Sequence, residues 1–476
     1  MRTKKIIKII AFGLLLSAIW GCKTPQSPVR VESKSVPQSF NGTQDSTVLT
    51  KLKWKEYFSD ENLVALIDTA LKNNQELNIT LQEIEISKNE IRARKGEYLP
   101  FVDLRAAAGY EKEGRFTRRG AVDDNIEIKP GTEFPEVLPN YMAGAFASWE
   151  LDIWKKLRNA KKAAAIRYLA SVEGRNFMVT QLIAEIATSY YELMALDNLL
   201  DIIQQNIEIQ TDGLKIVRQQ KDAAKTTQLA VNRFEAQLLN TTNLQYEIRQ
   251  KIVETENHIH FLTGGFPKAI PRNSTVFNAI ALDSVYAGIP SQLLINRPDI
   301  RQAELQLTAA KLDVKVARAN FYPSLRITGG LGFQAFKPTY LIKPESMLFN
   351  LAGDLMAPLI NRNAIKATYR NANAKQVQQV YNYERTILNA YVDVVNQLAK
   401  VQNFSKSHET KSREVEILMQ SIVISNNLFR SARADYLEVL TTQREALESK
   451  MDLIEIKMNL LDAKVNIYKS LGGGWK

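Results

Sequence analysis

Two stretches of this chain, more than two hundred residues apart, share one pattern. The first runs from Glu76 to Tyr110 and contains Ile91-Arg92-Ala93-Arg94-Lys95-Gly96-Glu97-Tyr98-Leu99-Pro100-Phe101-Val102. The second runs from Asp299 to Phe333 and contains Val314-Lys315-Val316-Ala317-Arg318-Ala319-Asn320-Phe321-Tyr322-Pro323-Ser324-Leu325. In each, a helical periodicity ends at aromatic residues and a proline. A short alternating strand follows and closes on Gly109-Tyr110 or Gly332-Phe333. A duplicated unit of this kind predicts a quasi-symmetric architecture, because both copies must bury the same face in the same way.

After each copy the pattern lengthens. From Lys155 to Gln220 there is no proline, and Gly174 and Gly213 are the only glycines. Apolar residues recur at Val179, Leu182, Ile186, Tyr190, Leu193, Leu196, Leu200, Ile203 and Ile207, in steps of three and four. This spacing predicts one helix roughly 100 Å long, at about 1.5 Å per residue. A partner helix is expected from Thr227 to Leu262, stopping at Thr263-Gly264-Gly265. The second copy repeats the plan. A helix is expected from Ala364 to Ser431, and a return helix ends at Gly472-Gly473-Gly474. Shorter helices are expected over Leu63–Ala70 and Leu77–Glu97. Seams this long must pack lengthwise on one another or on other subunits.

Four segments alternate with the period of a strand. Val102, Leu104, Ala106, Ala108 and Tyr110 share one face, opposed by Asp103 and Arg105. Leu325, Ile327, Gly329, Leu331 and Phe333 are opposed by Arg326 and Thr328. Tyr141 to Leu151 and Phe349 to Met356 alternate likewise. Each is about ten residues, a length that crosses a bilayer as a tilted strand. The connections 111–140 and 334–346 are polar and are expected to be loops. Four strands cannot close a barrel, and lipid tolerates no open sheet edge. Either the strands form a soluble hairpin pair, or several chains share one barrel. Three chains would supply twelve strands.

The N-terminus carries an address. A basic start precedes an apolar run from Ile9 to Ile19, which ends at Ala18-Ile19-Trp20-Gly21-Cys22. This is similar to a bacterial lipoprotein signal, with Trp20 where a small residue is usual. Cys22 is the only cysteine, so no disulfide can form within the subunit. Several acyl chains on Cys22 would anchor the chain stably, where one would not. Lys23 follows, without the aspartate that retains lipoproteins in the inner membrane, so the outer membrane is expected. Residues 22–52 read as a lipid-anchored tether rich in Ser, Pro, Thr and Gln. Past the leader no apolar run reaches eighteen residues. The formal charge is +11, and subtracting the four leader cations leaves +7. The basic residues are scattered among acidic ones, which fits a solvated surface and not a nucleic-acid site.

The chain resembles the outer-membrane factor (TolC-like) family, in particular the lipoprotein branch of RND-type efflux channels. The resemblance rests on Trp54-Lys55-Glu56-Tyr57-Phe58-Ser59-Asp60-Glu61-Asn62-Leu63 and on Trp149-Glu150-Leu151-Asp152-Ile153-Trp154 with Arg158-Asn159-Ala160. It continues through Asn296-Arg297-Pro298-Asp299-Ile300-Arg301, Ala317-Arg318-Ala319-Asn320-Phe321-Tyr322-Pro323, Tyr436-Leu437-Glu438-Val439-Leu440 and Tyr468-Lys469-Ser470-Leu471-Gly472-Gly473-Gly474-Trp475. It implies a mainly α homotrimer. A long helical periplasmic barrel would carry a twelve-stranded β-barrel, four strands per chain. It also implies a periplasmic adaptor, an inner-membrane pump of RND type and outer-membrane lipid as partners. The expected division is 1–21 signal peptide, 22–52 tether, 53–265 first repeat, 266–289 linker and equatorial segment, and 290–476 second repeat.

No catalytic constellation, cofactor motif or metal spacing is present. His258 and His260 lie two apart on a helix and face different sides, and His408 stands alone. Function is therefore expected at the two hairpin turns. The first is Lys221 to Thr227, with Ala223, Ala224, Lys225 and Thr227 as adaptor contacts. The second is Phe429 to Tyr436, with Ala432, Arg433 and Ala434 in the same role. The resemblance implies glycine in each turn, where this chain has Ala224 and Ala432. It also implies an acidic constriction inside the second turn. Glu438 matches one acidic position, Thr441 stands where a second acid is common, and Asp435 is a further candidate. A ring of such glutamates would attract cations. The leading reading is a passive export duct for small molecules. The alternatives are an outer duct for type I protein secretion and a pore-less lipid-anchored coiled coil.

Overall fold

The computed structural model describes residues 30–40, 53–280, 288–431 and 433–475. The signal peptide, Cys22 and Ala432 lie outside the described residues, as does most of the tether. The chain divides into two units, and each draws segments from both halves of the sequence.

One unit holds Glu85–Tyr168 and Leu305–Val380. Its centre is an antiparallel sheet of β1 (Phe101–Glu111), β4 (Leu138–Leu151), β5 (Ser324–Ala335) and β6 (Met347–Met356), in the order β1-β4-β5-β6. The register aligns the alternation expected from the sequence. Leu104 faces Ala145, Ala145 faces Leu331, and Leu331 faces Phe349, so one face is apolar throughout. The opposite face carries the row Glu150, Arg326 and Asp354. Leu104 is 85 % exposed and Phe349 79 %. Large apolar side chains left this open need an apolar medium or a partner. Gly144 and Gly332 face each other, and a Cβ on either would lie 2.7 or 2.6 Å from the opposing backbone. The inner strands can approach this closely only because both residues lack a side chain.

The connection 111–140 is more ordered than expected. It folds a short helix, α4 (Arg118–Asp123), capped by Thr117, and a hairpin of β2 (Glu127–Lys129) and β3 (Thr132–Glu133). The hairpin turns through Gly131 at φ +74°. Both are too short to show a period in the sequence, and the polar composition hid them.

The aromatic–proline signature seats the strands on the helices. The Trp149 indole donates to the Tyr98 carbonyl at 3.1 Å, and the Trp154 indole to the Pro323 carbonyl at 2.7 Å. Trp154 also stacks on Tyr322 with ring centres 4.7 Å apart. Asp152 accepts from the amides of Leu157 and Arg158 and so caps the helix that begins at Lys156.

The other unit holds Glu32–Ile84, Leu169–Glu304 and Tyr381–Lys476. Four long helices supply most of it, two of them shared with the sheet unit. They are α5 (Lys156–Asp222), α6 (Gln228–Leu262), α9 (Asn363–Arg430) and α10 (Tyr436–Ser470), within two residues of the expected bounds. The helices α1 (Trp54–Tyr57) and α2 (Glu61–Asn73) pack Trp54, Phe58, Leu63 and Ile67 on Val179, Ile186 and Tyr190 of α5 and on Ile454, Leu461 and Val465 of α10. Asp60 caps α2 and accepts a further hydrogen bond from the Tyr190 hydroxyl. Residues 30–40 run extended. Lys34 pairs with Glu304, and Phe40, fully buried, stacks on Tyr391.

The repeat is exact in number. Pro100 and Pro323 lie 223 positions apart, as do Gly109 and Gly332. Past the strands the separation drops to 208, as between Leu262 and Ser470. The fifteen-residue difference lies in the connection that holds α4 and the small hairpin.

Each return helix ends against the start of another. The end of α6 meets α3 (Gln75–Tyr98), and the end of α10 meets α8 (Pro298–Ala319), which follows the short α7 (Leu293–Asn296). In the first splice Asn74 donates its side-chain amide to the Leu262 carbonyl and accepts from the Leu77 amide, both at 2.9 Å. In the second, Arg297 donates to the Ser470 carbonyl at 3.0 Å and forks onto Asp299, whose carboxylate caps Ile300. Each splice satisfies orphan groups of two helix ends and aligns their dipoles head to tail. Gly264 and Gly472 close the splices at φ +69° and +88°, each against the carbonyl of Asn73 or Asn296.

Arg297 is buried, so its removal strands the Asp299 carboxylate. We expect Arg297→Ala to cost about 3–5 kcal/mol and to lower the thermal unfolding midpoint in detergent. Arg297→Lys should restore only part, since the fork is lost. Wild-type melting of Arg297→Ala would show that the splice holds nothing.

Candidate functional site

The α5–α6 and α9–α10 turns come together in one cluster. Leu214 and Val217 of α5 pack with Ala230, Val231 and Phe234 of α6 and with Leu440 of α10, and Phe429 and Tyr436 close the margin. The two tips thus form a single end.

The first turn is a Schellman closure. The Lys225 amide donates to the Gln220 carbonyl at 2.8 Å and the Ala224 amide to the Lys221 carbonyl at 2.9 Å. The motif requires a left-handed residue at Ala224, whose φ is +58°. Thr227 then caps α6 through the Ala230 amide at 3.3 Å. The second turn repeats the long bond, from the Arg433 amide to the Leu428 carbonyl at 2.9 Å. Asp435 takes the N-cap position of α10 without a side-chain cap bond. Arg433 is exposed and Ala434 half-buried.

Glu438 and Thr441 lie one turn apart on α10. They share an open groove of about 490 Å³ with Ser421, Ile424, Ser425 and Leu428 of α9. Asp435 does not line this groove. Nothing in the sequence pairs the α9 wall with Glu438. Its only signal is the placing of two serines, Ser421 and Ser425, on the face that carries Leu428. Farther along the same helix pair, Lys411 bridges Glu414 and Asp452, and Ser449 bonds Glu414. The Ser449 hydroxyl and then Lys411 hold the Glu414 carboxyl below its ordinary value.

The histidines diverge. His258 meets Glu185 at 3.2 Å, while buried His260 faces the Lys268 carbonyl at 2.7 Å. Burial, then Lys457, holds His408 below the ordinary imidazole value. Among the described residues no group of three His, Cys, Asp or Glu side chains could hold a metal ion.

An alanine at φ +58° carries a steric cost of about 1–2 kcal/mol, which glycine lacks. Ala224→Gly should therefore slow amide exchange at Lys225 severalfold. Faster exchange would mean that chain entropy outweighs the strain.

The sequence matches the family described as "Outer membrane efflux protein" over residues 66–265 and 289–473. It is 28% identical over 474 residues to the toluene efflux pump outer membrane protein TtgI of Pseudomonas putida, covering 98% of this chain and 97% of that protein. It is 26% identical over 461 residues to the probable outer membrane lipoprotein SilC of Salmonella typhimurium, covering 96% of each. The fold is similar to the open-state Neisseria gonorrhoeae MtrE outer membrane channel, with a TM-score of 0.81 at 23% identity over 95% of this chain and 99% of that one. The match spans both halves of the chain, and the chain belongs to the outer membrane efflux protein family.

Proposed function

We propose that this chain is the outer-membrane duct of a tripartite efflux system, passing small molecules outward from a periplasmic adaptor and an inner-membrane RND-type pump. The observation that carries the reading is the four-stranded sheet. It has one apolar face and two unpaired edges, β1 and β6. A hydrocarbon medium suits the face and forbids the edges. Three copies, edge to edge, would give twelve strands and leave no edge. The two repeats, 53–265 and 290–476 about a 266–289 linker, each give two strands to that barrel. Strands of 10 to 14 residues are long enough to cross when tilted. A pore-less rod has no use for such a sheet. TtgI is named for toluene, which favours small-molecule efflux over protein secretion.

Cys22 is the proposed lipid anchor, supported by the likeness to a named lipoprotein. The joined tips are the proposed adaptor contact, through Ala223, Ala224, Lys225 and Thr227 and through Ala432, Arg433 and Ala434. Glu438, with Thr441 beside it and Asp435 a turn away, is the proposed entrance ring.

Two experiments test this. A cysteine at Ala106 of β1 and another at Leu351 of β6 should cross-link neighbouring subunits into trimers, and a stable monomer would end the reading. In planar bilayers the protein should give conductance steps. Glu438→Ala should lower the preference for cations severalfold without changing assembly. Unaltered selectivity would remove the ring and leave the duct.

A further inference from the structure

The cations of the sheet unit are not evenly spread. From Lys155 to Arg167 there are six Lys or Arg and no Asp or Glu, and from Arg362 to Lys375 four and none. These stretches open α5 and α9, the two helices that leave the strands. Helix N-termini add positive potential of their own.

The cations also repeat in register. Arg158 and Lys366 lie 208 positions apart, as do Lys162 and Arg370. That is the separation of the helices themselves. On the helices that enter the strands, Lys95 and Arg318 lie 223 apart, again the separation of the copies. All six are exposed. Nearby carboxylates are already engaged. Glu90 and Glu97 bind Arg94, Glu150 binds Lys156, Asp152 binds Arg158, and Asp313 binds Arg167. Among the described residues Lys95, Lys162, Arg318, Lys366 and Arg370 have no ion-pair partner within 4.0 Å.

Their depth is set by the helix rise. Lys162 and Arg370 lie six and seven residues into their helices, roughly 10 Å along the axis. Lys95 and Arg318 lie within one turn of the ends of α3 and α8. Between these cations and the strands sit exposed apolar residues, Ile153, Trp154, Leu359 and Ile360. An apolar sheet face, then an apolar and indole margin, then cations is the order of a leaflet read from hydrocarbon to headgroup. The headgroup layer is about 5–7 Å deep, and Lys and Arg side chains on α5 and α9, which lean toward the helix N-terminus, are long enough to reach back into it.

We infer that this collar binds the phosphate headgroups of anionic phospholipids in the periplasmic leaflet and fixes the depth of the duct. The inference rests on the membrane reading of the sheet. Each cation near an anionic surface changes affinity about fivefold.

The test uses the full-length protein in nanodiscs of phosphatidylethanolamine with and without phosphatidylglycerol. Retained lipid is counted by native mass spectrometry and unfolding is followed by heating. The wild type should retain phosphatidylglycerol at least tenfold over phosphatidylethanolamine and melt higher in its presence. The variant Lys95→Gln/Lys162→Gln/Arg318→Gln/Arg370→Gln should lose both effects, while the control Lys400→Gln/Lys406→Gln should keep them. A preference that survives in the collar variant overturns the inference. So does equal stabilisation by inorganic phosphate. A shift in anion selectivity of conductance, with lipid preference intact, would place the cations on the conduit wall and overturn it too. Absence of conductance steps from the wild type would sink the membrane reading itself.

Discussion

Backbone polar groups that cannot reach water must find partners, and this demand shapes both units. In the sheet it leaves β1 and β6 with unsatisfied edges that only another strand can complete. In the helical unit it is met inside the chain. Asn74 and Arg297 each join the last carbonyls of one helix to the first turn of another. The two solutions differ in rank. A side chain can complete a helix end, because only a few groups are orphaned. A strand edge is a whole row, so no side chain suffices, and only a further strand can complete it.

Much of this was legible beforehand. The α5 and α9 spans follow from the missing prolines and the seam of threes and fours. The strand faces follow from alternation, and the register confirms them row by row. The turns at Ala224 and near Ala432 follow from the breaks between seams. What stayed hidden is long-range or short in extent. Asn74 and Leu262 are 188 positions apart, and nothing in an Asn-Asn pair announces a splice. Arg297-Pro298-Asp299 is a recognisable motif, but its task depends on the Ser470 carbonyl, 173 positions away. The helix α4 and the small hairpin carry too few residues for any period. The groove wall at Ser421 and Ser425 looks like ordinary solvated helix until α10 lies beside it.

The repeat explains why the splices differ in chemistry but not in place. Leu262 and Ser470 are equivalent positions, and their carbonyls need the same donor. Asparagine serves one with a single neutral side chain. Arginine serves the other with a charge, and the charge then requires Asp299. A buried ion pair is stabilising only when both members are satisfied. The second splice is therefore the more brittle. Truncating Asn74 removes one neutral donor and one neutral acceptor, whereas truncating Arg297 leaves an uncompensated carboxylate.

Charge along the chain is arranged by the medium that each part must meet. On the polar face of the sheet, Arg326 lies between Glu150 and Asp354, and Asp103 pairs with Arg105. Opposite charges set side by side present little net field. At the tips the acid Glu438 stands among serine, threonine and leucine, with no ion-pair partner among the described residues. An unpaired charge keeps its field, and threefold symmetry, if three copies close round one axis, would repeat it at one level and narrow the opening around it. With the proposed ring in place, the duct would discriminate at its entrance and be indifferent along the sheet.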